Sequence, residues 1–391
     1  MVSVLRTEVI GSAAENRRLD FIDALRGFAC LWVLFHHSFE HVPISGKLIH
    51  LPFDLLVQFS RIGWLGVSLF LVLSGFCLYY PIVRKNGPRG AILDLKEFAR
   101  RRARRILPPY FAALLFFTAL AWLARWHGLS WSDSAGWKDI LSHALMVHNL
   151  WPSTFASINP AFWSLALEVQ LYGVFPLLVW LAARRGLRAI AASTLIMAVT
   201  WQTFAFAKYG LSREWAADFA VVYHALPSRC FEFALGMCAA AWVAHPHSSH
   251  VRYAGWLAAV LLVPAAAFVL FVSRFGPLCD SVWGLLFASG VVLLSRVPQT
   301  CFLQWNSLRA MTGLGAISYS VYLIHQPLIA LLAPEQFGLE VTSRVAFFTF
   351  AAFRLLLLVA IGFGFFLLLE RPFIARRTKP QPNVLPLPQP H

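Results

Sequence analysis

The sequence predicts an all-α polytopic membrane protein with about ten transmembrane helices, both termini cytoplasmic and one re-entrant or interfacial segment. Hydrophobic residues make up 59% of the 391 positions and charged residues only 13%. The apolar residues fall into runs near the length of about 20 residues that a helix needs to cross a bilayer. Basic residues stand between these runs. Such a composition is too apolar for a water-soluble globular domain.

Ten apolar segments account for most of the chain. They lie at residues 21–42, 61–83, 106–126, 162–183, 189–208, 223–244, 253–273, 279–295, 311–333 and 344–369. The stretch from Asp139 to Pro160 is short and broken, so we expect a re-entrant or interfacial piece there. We expect residues 1–19 to form a flexible cytoplasmic N-terminus, 20–374 a single transmembrane domain, and the proline-rich 375–391 a disordered cytoplasmic tail.

The distribution of positive charge predicts the orientation. With the N-terminus inside, the loops and termini on the cytoplasmic side hold 22 of the 33 lysines and arginines, and the outer segments hold 8. This asymmetry follows the positive-inside rule. It also explains most of the net charge of +15. Because the basic residues punctuate apolar runs and do not gather on one polar face, we expect no nucleic-acid partner.

Ionisable residues inside apolar segments are costly and mark candidate functional sites. In the first segment, the eleven steps from Arg26 to His37 return to within about 20° of the same helix face. The two residues would lie about 16 Å apart along the axis, with Arg26 nearer the cytoplasm. We therefore predict a polar track with His37 as its candidate base. His36 points about 80° away, although a one-residue helix distortion would exchange the two histidines.

The fourth segment carries Glu168, which the helix ends place at a depth similar to that of His37. A carboxylate and an imidazole could meet there. The alternative is that Glu168 only orients helices through hydrogen bonds to Trp163 or to a tyrosine.

Five arginines precede the third segment, in the predicted cytoplasmic turn DLKEFARRRARRILPPYF. They are Arg100, Arg101, Arg102, Arg104 and Arg105. Such a cluster anchors the topology. Guanidinium groups at this density also suit phosphate, through bidentate hydrogen bonds.

Other polar residues and the cysteines receive structural interpretations. Arg229 and Glu232 have the spacing of an i,i+3 ion pair. Ser68 and Ser74, close to glycines, fit tight helix packing and no catalytic role. The six cysteines are scattered without a metal-like spacing, and we expect no metal.

Five stretches occur in an order that resembles the acyltransferase-3 family of membrane-bound O-acyltransferases. They are IDALRGFACLWVLFHH, GVSLFLVLSGF, FARRRARRILPPY, FWSLALEVQLYGVFP and ISYSVYLIHQPL, followed by a similar closing ERPF. The family's Arg, ten residues, His pattern is met by Arg26 and His37, and its WSLxxE element ends on Glu168. Its RRxxRIxP-like element is met by Arg101, Arg102, Arg105, Ile106 and Pro108. Two positions differ from the commonest pattern, with Ser68 where Asp is frequent and Val169 where a second Glu is frequent.

The resemblance implies transfer of an acyl group, most often acetyl from acetyl-CoA, to a hydroxyl of a carbohydrate or glycolipid. It implies His37, Glu168 and Arg26 as catalytic residues, and Arg101, Arg102 and Arg105 as binders of the CoA phosphates. The resemblance also implies that the protein is located in the bacterial inner membrane and crosses it several times. The acceptor, the acyl group, the oligomeric state and the choice between direct transfer and an acyl-enzyme stay open.

Two further hypotheses follow from the same residues. Buried charges and broken helices are also typical of a transporter or flippase for an anionic solute or lipid-linked glycan, although no internal repeat relates the two halves. Candidates for a sugar pocket on the outer side are Trp126, His127, Trp131, Trp137, Trp151 and Asn159.

Overall fold

A computed structural model describes most of the chain. It covers residues 19–40, 59–87, 90, 93–126, 136–209, 217–245, 279–298, 301–338 and 343–375. Over these ranges the regular structure is entirely helical, and no strand occurs. The predicted all-α class is therefore confirmed.

Fourteen α-helices occur within the described ranges. They are α1 (Asp20–Glu40), α2 (Leu65–Asn86), α3 (Leu95–Trp126), α4 (Trp137–Ala144), α5 (Pro152–Phe155), α6 (Phe162–Arg185), α7 (Leu187–Tyr209), α8 (Ala217–Tyr223), α9 (Leu226–Ala244), α10 (Cys279–Leu294), α11 (Cys301–Gln304), α12 (Asn306–Leu331), α13 (Arg344–Phe365) and α14 (Arg371–Ala375). Short 3-10 helices cover His148–Leu150 and Pro334–Phe337, and a π-helical turn covers Phe366–Glu370.

Six helical stretches in the described ranges are long and apolar enough to cross a membrane, judged by length and composition. They are Leu65–Asn86, Leu95–Leu123, Phe162–Arg185, Leu187–Tyr209, Asn306–Leu331 and Val345–Ile374. The predicted segments 21–42, 223–244 and 279–295 also coincide with helices, which are shorter or carry more polar residues. The predicted segment 253–273 lies outside the described residues.

The third helix begins earlier than the sequence predicted. The arginine cluster was expected in a turn before a helix starting at the prolines, but α3 starts at Leu95 and continues through Pro108 and Pro109. The Asp94 side chain accepts a hydrogen bond of 3.0 Å from the Glu97 amide, which is an N-cap arrangement. The arginines therefore lie on a helix, which fixes the directions in which they point.

Helices α1 and α12 form the most extensive pair in the fold. A methyl group at Gly27 would overlap the Met311 carbonyl, and one at Gly315 would overlap the Asp23 carbonyl. Their glycines therefore let the two backbones touch. Farther along, the Cys30 thiol lies 3.9 Å from the carbonyl oxygen of its α12 neighbour, residue 318. Contacts advance in the same direction along both helices, so the pair is parallel.

A second close pair, α2 and α9, contains a buried ionic cluster. A glycine again lets two backbones approach closely, because a methyl group at Gly75 would overlap the Phe233 carbonyl. Arg229 contacts Glu232 at 3.1 Å and also Asp280 of α10, and it donates a hydrogen bond of 2.9 Å to the Ser68 hydroxyl. The predicted ion pair is confirmed, and Asp280 is an addition that sequence spacing did not suggest. The cluster ties three helices together.

The stretch from Asp139 to Pro160 is made of short pieces, as the sequence predicted. Two short helices flank a 3-10 turn, and Met146 and Ile158 have positive φ angles of 55° and 60°. The Asn159 amide donates a hydrogen bond of 2.8 Å to the Leu323 carbonyl of α12. This bond fixes where the following helix, α6, enters the bundle.

Candidate active site

A cavity opens between helices α1, α2, α3, α6 and α12. The space between its atoms, counted with its open mouth, is about 840 Å³. Its polar lining side chains are Arg26, Ser74, Cys77, Arg102, Arg105, Ser164, Glu168, Tyr172, Ser318, Tyr319 and Tyr322. The rest of the wall is apolar. An apolar wall with a few convergent polar groups is typical of a small-molecule site.

Three guanidinium groups gather at one end of this cavity, which we call the arginine end. They belong to Arg26, Arg102 and Arg105. The Arg26 side chain forms an ion pair with Asp23 at 3.8 Å, and Arg102 lies over the ring of Tyr172 at 5.8 Å from its centre. Arg105 lies within electrostatic range of both other arginines. Three cations in one cavity favour an anionic ligand.

Arg101 is separated from the other predicted phosphate binders. It is absent from the cavity lining, its side chain is 41% exposed, and it lies 3.8 Å from Glu97 one helical turn earlier. Of the three predicted phosphate binders, Arg102 and Arg105 therefore line this cavity and Arg101 does not. The reason is the helix itself, which directs neighbouring side chains about 100° apart.

Glu168 lies in the cavity and accepts two hydrogen bonds there. The donors are the Ser74 hydroxyl at 2.8 Å and the Tyr172 hydroxyl. One of the predicted partners for this carboxylate, a tyrosine, is thus confirmed. The other, Trp163, instead packs on the His224 ring at 4.3 Å between centres. Ser74, for which the sequence predicted tight helix packing and no catalytic role, thus contacts the cavity carboxylate through its hydroxyl.

His37 does not line the cavity. Its ring lies 5.3 Å from the ring of His325 and 4.9 Å from that of His36, measured between centres. The Tyr322 ring, which does line the cavity, lies 4.9 Å from the His325 ring, measured between centres. His36 donates from Nδ1 to the Ser60 carbonyl at 2.8 Å. Ring contacts through Tyr322 and His325 therefore connect the cavity wall to His37.

The predicted meeting of Glu168 and His37 at one depth is wrong. The hydrogen bond from Asn159 to Leu323 draws the start of α6 into the bundle, below the end of α1. Glu168 lies six residues into α6, which places it about 9 Å farther toward the arginine end. It consequently lies within electrostatic range of Arg26.

A family comparison agrees with this arrangement of residues. The family model described as an acyltransferase domain matches residues 19–369. The chain belongs to the acyltransferase-3 family. The resemblance deduced from the five ordered motifs is thereby confirmed, and the chain is a multi-pass integral membrane protein.

Three relatives illustrate the range of the acyltransferase-3 family around this chain. A peptidoglycan O-acetyltransferase, OatA of Listeria monocytogenes, is 25% identical over 82% of this chain and 50% of its own length. A putative peptidoglycan O-acetyltransferase, YrhL of Bacillus subtilis, is 28% identical over the same shares. A putative membrane-bound transacylase, BcsY of Komagataeibacter xylinus, is 30% identical over 80% of this chain and 73% of its own. The chain spans about half the length of the two peptidoglycan relatives, and no solved structure matches it.

Several cavity residues of this acyltransferase-3 chain were missed by the sequence reading. Ser164 and Tyr172 lie one turn on either side of Glu168, so the polar positions repeat at i, i+4 in an otherwise apolar helix. This repeat was the available signal. Tyr322 bonds Ser164 through their hydroxyls at 2.7 Å, while Ser164 donates to the Ala161 carbonyl at 3.0 Å. Tyr322 is therefore the donor in the shared bond.

Two further histidines of this acyltransferase-3 chain are buried in the short segment. The rings of His143 and His148 stack at 3.8 Å, and the Tyr110 hydroxyl donates to the His143 carbonyl at 2.9 Å. Burial lowers the pKa of His143 to about 4 and that of His148 to about 3. Both are neutral at physiological pH, so they contribute packing and not charge.

Three of the six predicted sugar-pocket residues have side chains in the described part of the chain. Trp137 is 70% exposed and Trp151 is 50% exposed, whereas Asn159 is buried. The side chain of Trp126 and the whole of residues 127 and 131 lie outside the described part of the structure. In the described ranges, no cluster of three or more His, Cys, Asp or Glu could hold a metal ion.

Proposed function

We propose that this protein is a membrane O-acyltransferase that moves an acyl group, acetyl in the first instance, from acyl-CoA to a hydroxyl of a carbohydrate. The observation that carries the proposal is the cavity with three arginines at one end and a histidine beyond the other. An anionic donor enters from the arginine end, and an acceptor meets it near the histidine. The two ends thus suit the two substrates of one transfer reaction.

The donor site follows from the charges. Arg102 and Arg105 would hold the phosphates of CoA through charge-assisted hydrogen bonds. Arg26 would guide the pantetheine arm past them. Glu168 lies near these arginines, and its carboxylate offsets part of their positive charge. Through the bond from Ser74, Glu168 also joins α6 to α2 beside the cavity, while Tyr172 bonds it from one turn farther along α6.

The transfer step needs a base for the acceptor hydroxyl. His37 would take this proton as the hydroxyl oxygen attacks the thioester carbonyl carbon. The new carbon–oxygen bond forms, the carbon–sulfur bond breaks, and CoA leaves as the thiolate. An imidazole suits the proton transfer because it titrates near neutral pH. This step is written for direct transfer; through an acyl-enzyme, the acceptor hydroxyl would instead attack the enzyme-bound acyl carbon after CoA had left.

The membrane orientation is part of the proposal. Ten spans, with the N-terminus and the arginine end in the cytoplasm, would bring cytoplasmic acyl-CoA to the cavity. The segment with His143 and His148 would be the re-entrant or interfacial piece on the opposite side. The bacterial inner membrane is the proposed location.

The proposed acceptor is a carbohydrate or glycolipid. Two relatives bear the name of peptidoglycan O-acetyltransferases, which supports a glycan as the chemical class. An exopolysaccharide, an O-antigen or another glycan would fit this class equally well.

The test is acyl-CoA consumption by membranes that contain the protein. Membranes of a strain lacking its own copy would receive the wild-type chain or His37→Ala at equal abundance, with [14C]acetyl-CoA as donor. We expect label to enter the glycan fraction with release of one CoA thiol per acetyl group, for the wild type only. Solute movement across these membranes without loss of acetyl-CoA would contradict the proposal and favour a transporter or flippase.

A further inference from the structure

Three polar residues of α6 order the cavity from one end to the other. Tyr172, whose ring lies beneath the Arg102 guanidinium, marks the arginine end. Glu168 lies one turn earlier on the helix. Ser164 lies a further turn earlier, and its hydroxyl is bonded to that of Tyr322 at 2.7 Å. Ser164 therefore lies at the end of the cavity away from the arginines, about 12 Å from Tyr172 along the helix axis.

Phe70 of α2 lies at this same end. Ser74 bonds Glu168 across the two helices, and Phe70 precedes Ser74 by one turn, as Ser164 precedes Glu168. The Phe70 ring contacts the Tyr322 ring edge to face, with 5.9 Å between their centres. Because Tyr322 is bonded to Ser164, these three side chains form one layer of the cavity wall. We call Phe70, Ser164 and Tyr322 the end layer.

The hydroxyl protons of the end layer are already engaged. Tyr322 donates to Ser164, and Ser164 donates to the Ala161 carbonyl. The neighbouring side chains of the wall, Val67 and Leu165, are apolar. A carboxylate placed against these side chains would lose its water and find no hydrogen-bond donor among them, which is costly. This end of the cavity therefore suits an uncharged, apolar group.

We infer that the end layer binds the acyl group of the donor, and that Phe70 limits this group to a short, uncharged chain. The inference rests on the proposed function, in which the arginine end holds the CoA phosphates. A donor held there extends its thioester away from the arginines, toward the end layer. The acyl carbon then lies on the side of the cavity from which Tyr322 and His325 lead to His37.

Phe70 suits this role because its ring is held in place. The residue is half-buried and contacts each of the three buried apolar clusters in the described part of the chain. Extra methylene groups forced into such packing cost about 1–3 kcal/mol. An acetyl group ends at its methyl carbon, whereas each longer chain adds carbons that must displace the ring. Phe70 is therefore the specificity-determining residue for chain length.

The experiment compares donors of increasing length in the same membranes. Acetyl-CoA, butanoyl-CoA and hexanoyl-CoA are supplied in turn, and succinyl-CoA serves as a charged donor with the carbon count of butanoyl-CoA. The readout is kcat/KM from initial rates of CoA thiol release. The wild type should use butanoyl-CoA at least about 10-fold less efficiently than acetyl-CoA. Phe70→Ala should raise the ratio of butanoyl to acetyl transfer by about 10- to 100-fold, and Phe70→Leu should raise it less. Succinyl-CoA should stay a poor donor for every variant.

Leu78→Ala is the matched control. Leu78 lies on the same helix and lines the same cavity, but it follows Phe70 by two turns, toward the arginine end. It is also buried, so its truncation likewise removes apolar packing and lowers stability. We expect the ratio of butanoyl to acetyl transfer to stay at the wild-type value. Because both rates come from one membrane preparation, the ratio does not depend on the abundance of the variant.

The outcomes separate this inference from the proposed function. A wild-type protein that transfers none of these acyl groups would overturn the proposed function itself. Wild-type transfer of acetyl and butanoyl groups with equal efficiency would overturn only the limit set by Phe70. An unchanged ratio in Phe70→Ala, or an equal change in Leu78→Ala, would place the acyl group elsewhere in the cavity and overturn the inference. Efficient use of succinyl-CoA would overturn the uncharged character of the site.

Discussion

Replacing Arg105 with alanine tests the donor site in isolation from the transfer step. Arg105 lines the arginine end beside Arg26 and Arg102, on a wall remote from His37. A hydrogen bond to a charged group contributes about 1.5–3 kcal/mol. Since about 1.4 kcal/mol corresponds to a factor of ten, the KM for acetyl-CoA should rise by about 10- to 100-fold.

The same variant should leave kcat nearly unchanged. Phosphate contacts far from the thioester bind the ground state and the transition state equally, so they act on KM. Arg105→Lys should recover part of the affinity because it keeps the charge but loses the bidentate geometry. The assay is the initial rate of CoA thiol release by membranes over a range of acetyl-CoA concentrations.

Arg101→Ala is the control for this experiment. It removes the same charge from the same helix, but Arg101 is exposed and paired with Glu97 outside the cavity. We expect a KM close to that of the wild type. Equal KM values for Arg105→Ala and Arg101→Ala would refute the donor site, and the arginines would then be a topology anchor only.

Three other expectations follow from the geometry. His37→Ala should lower the rate of acyl transfer by about 10²–10⁴-fold, as loss of a general base does, and His36→Ala should stay close to wild type. Comparable losses in both variants would show that the helix face is misassigned. Glu168→Gln should lower the KM for acetyl-CoA, because a negative charge leaves an anion site, and should reduce kcat less than His37→Ala; a kcat as low as that of His37→Ala would instead place the carboxylate in proton transfer. Gly315→Ala should lower the melting temperature and abundance of the protein, because the added methyl group meets the Asp23 carbonyl. The control Gly313→Ala has open space around the added methyl group and should be neutral or stabilising by up to about 1 kcal/mol. Equal melting temperatures for the two variants would contradict the close approach of α1 and α12.

Local periodicity was sufficient to predict the apolar helices that the described residues contain and the shared face of Arg26 and His37 on α1. Both Arg26 and His37 lie on one regular helix, so the eleven-residue spacing could be converted to geometry directly. The arginine cluster before the third apolar segment was also found from the sequence alone. The sequence did not show which of these arginines line the cavity and which are exposed. That depends on where α3 begins and on the N-cap formed by Asp94.

The relative depth and pairing of residues on different helices were harder to predict from the sequence. The depth of Glu168 was misjudged because it was counted from the helix end, and only the bond between Asn159 and Leu323 reveals how deep α6 begins. The pairing of His37 with His325 depends on an offset of 288 residues between two helices. No pattern within one segment specifies such an offset. Asp280 joined Arg229 for the same reason, since its helix packs against α9 from a distant part of the sequence.

The central claim is that acyl-CoA enters at the arginine end and that its acyl group is transferred at His37. The most direct measurement uses sealed inside-out membrane vesicles, which present the cytoplasmic face to the medium, and right-side-out vesicles from the same cells. [14C]acetyl-CoA added to the medium should label glycan in the inside-out vesicles with the wild-type protein, and should fail to do so in right-side-out vesicles or with His37→Ala. Labelling from the right-side-out face, or labelling that survives His37→Ala, would contradict the account.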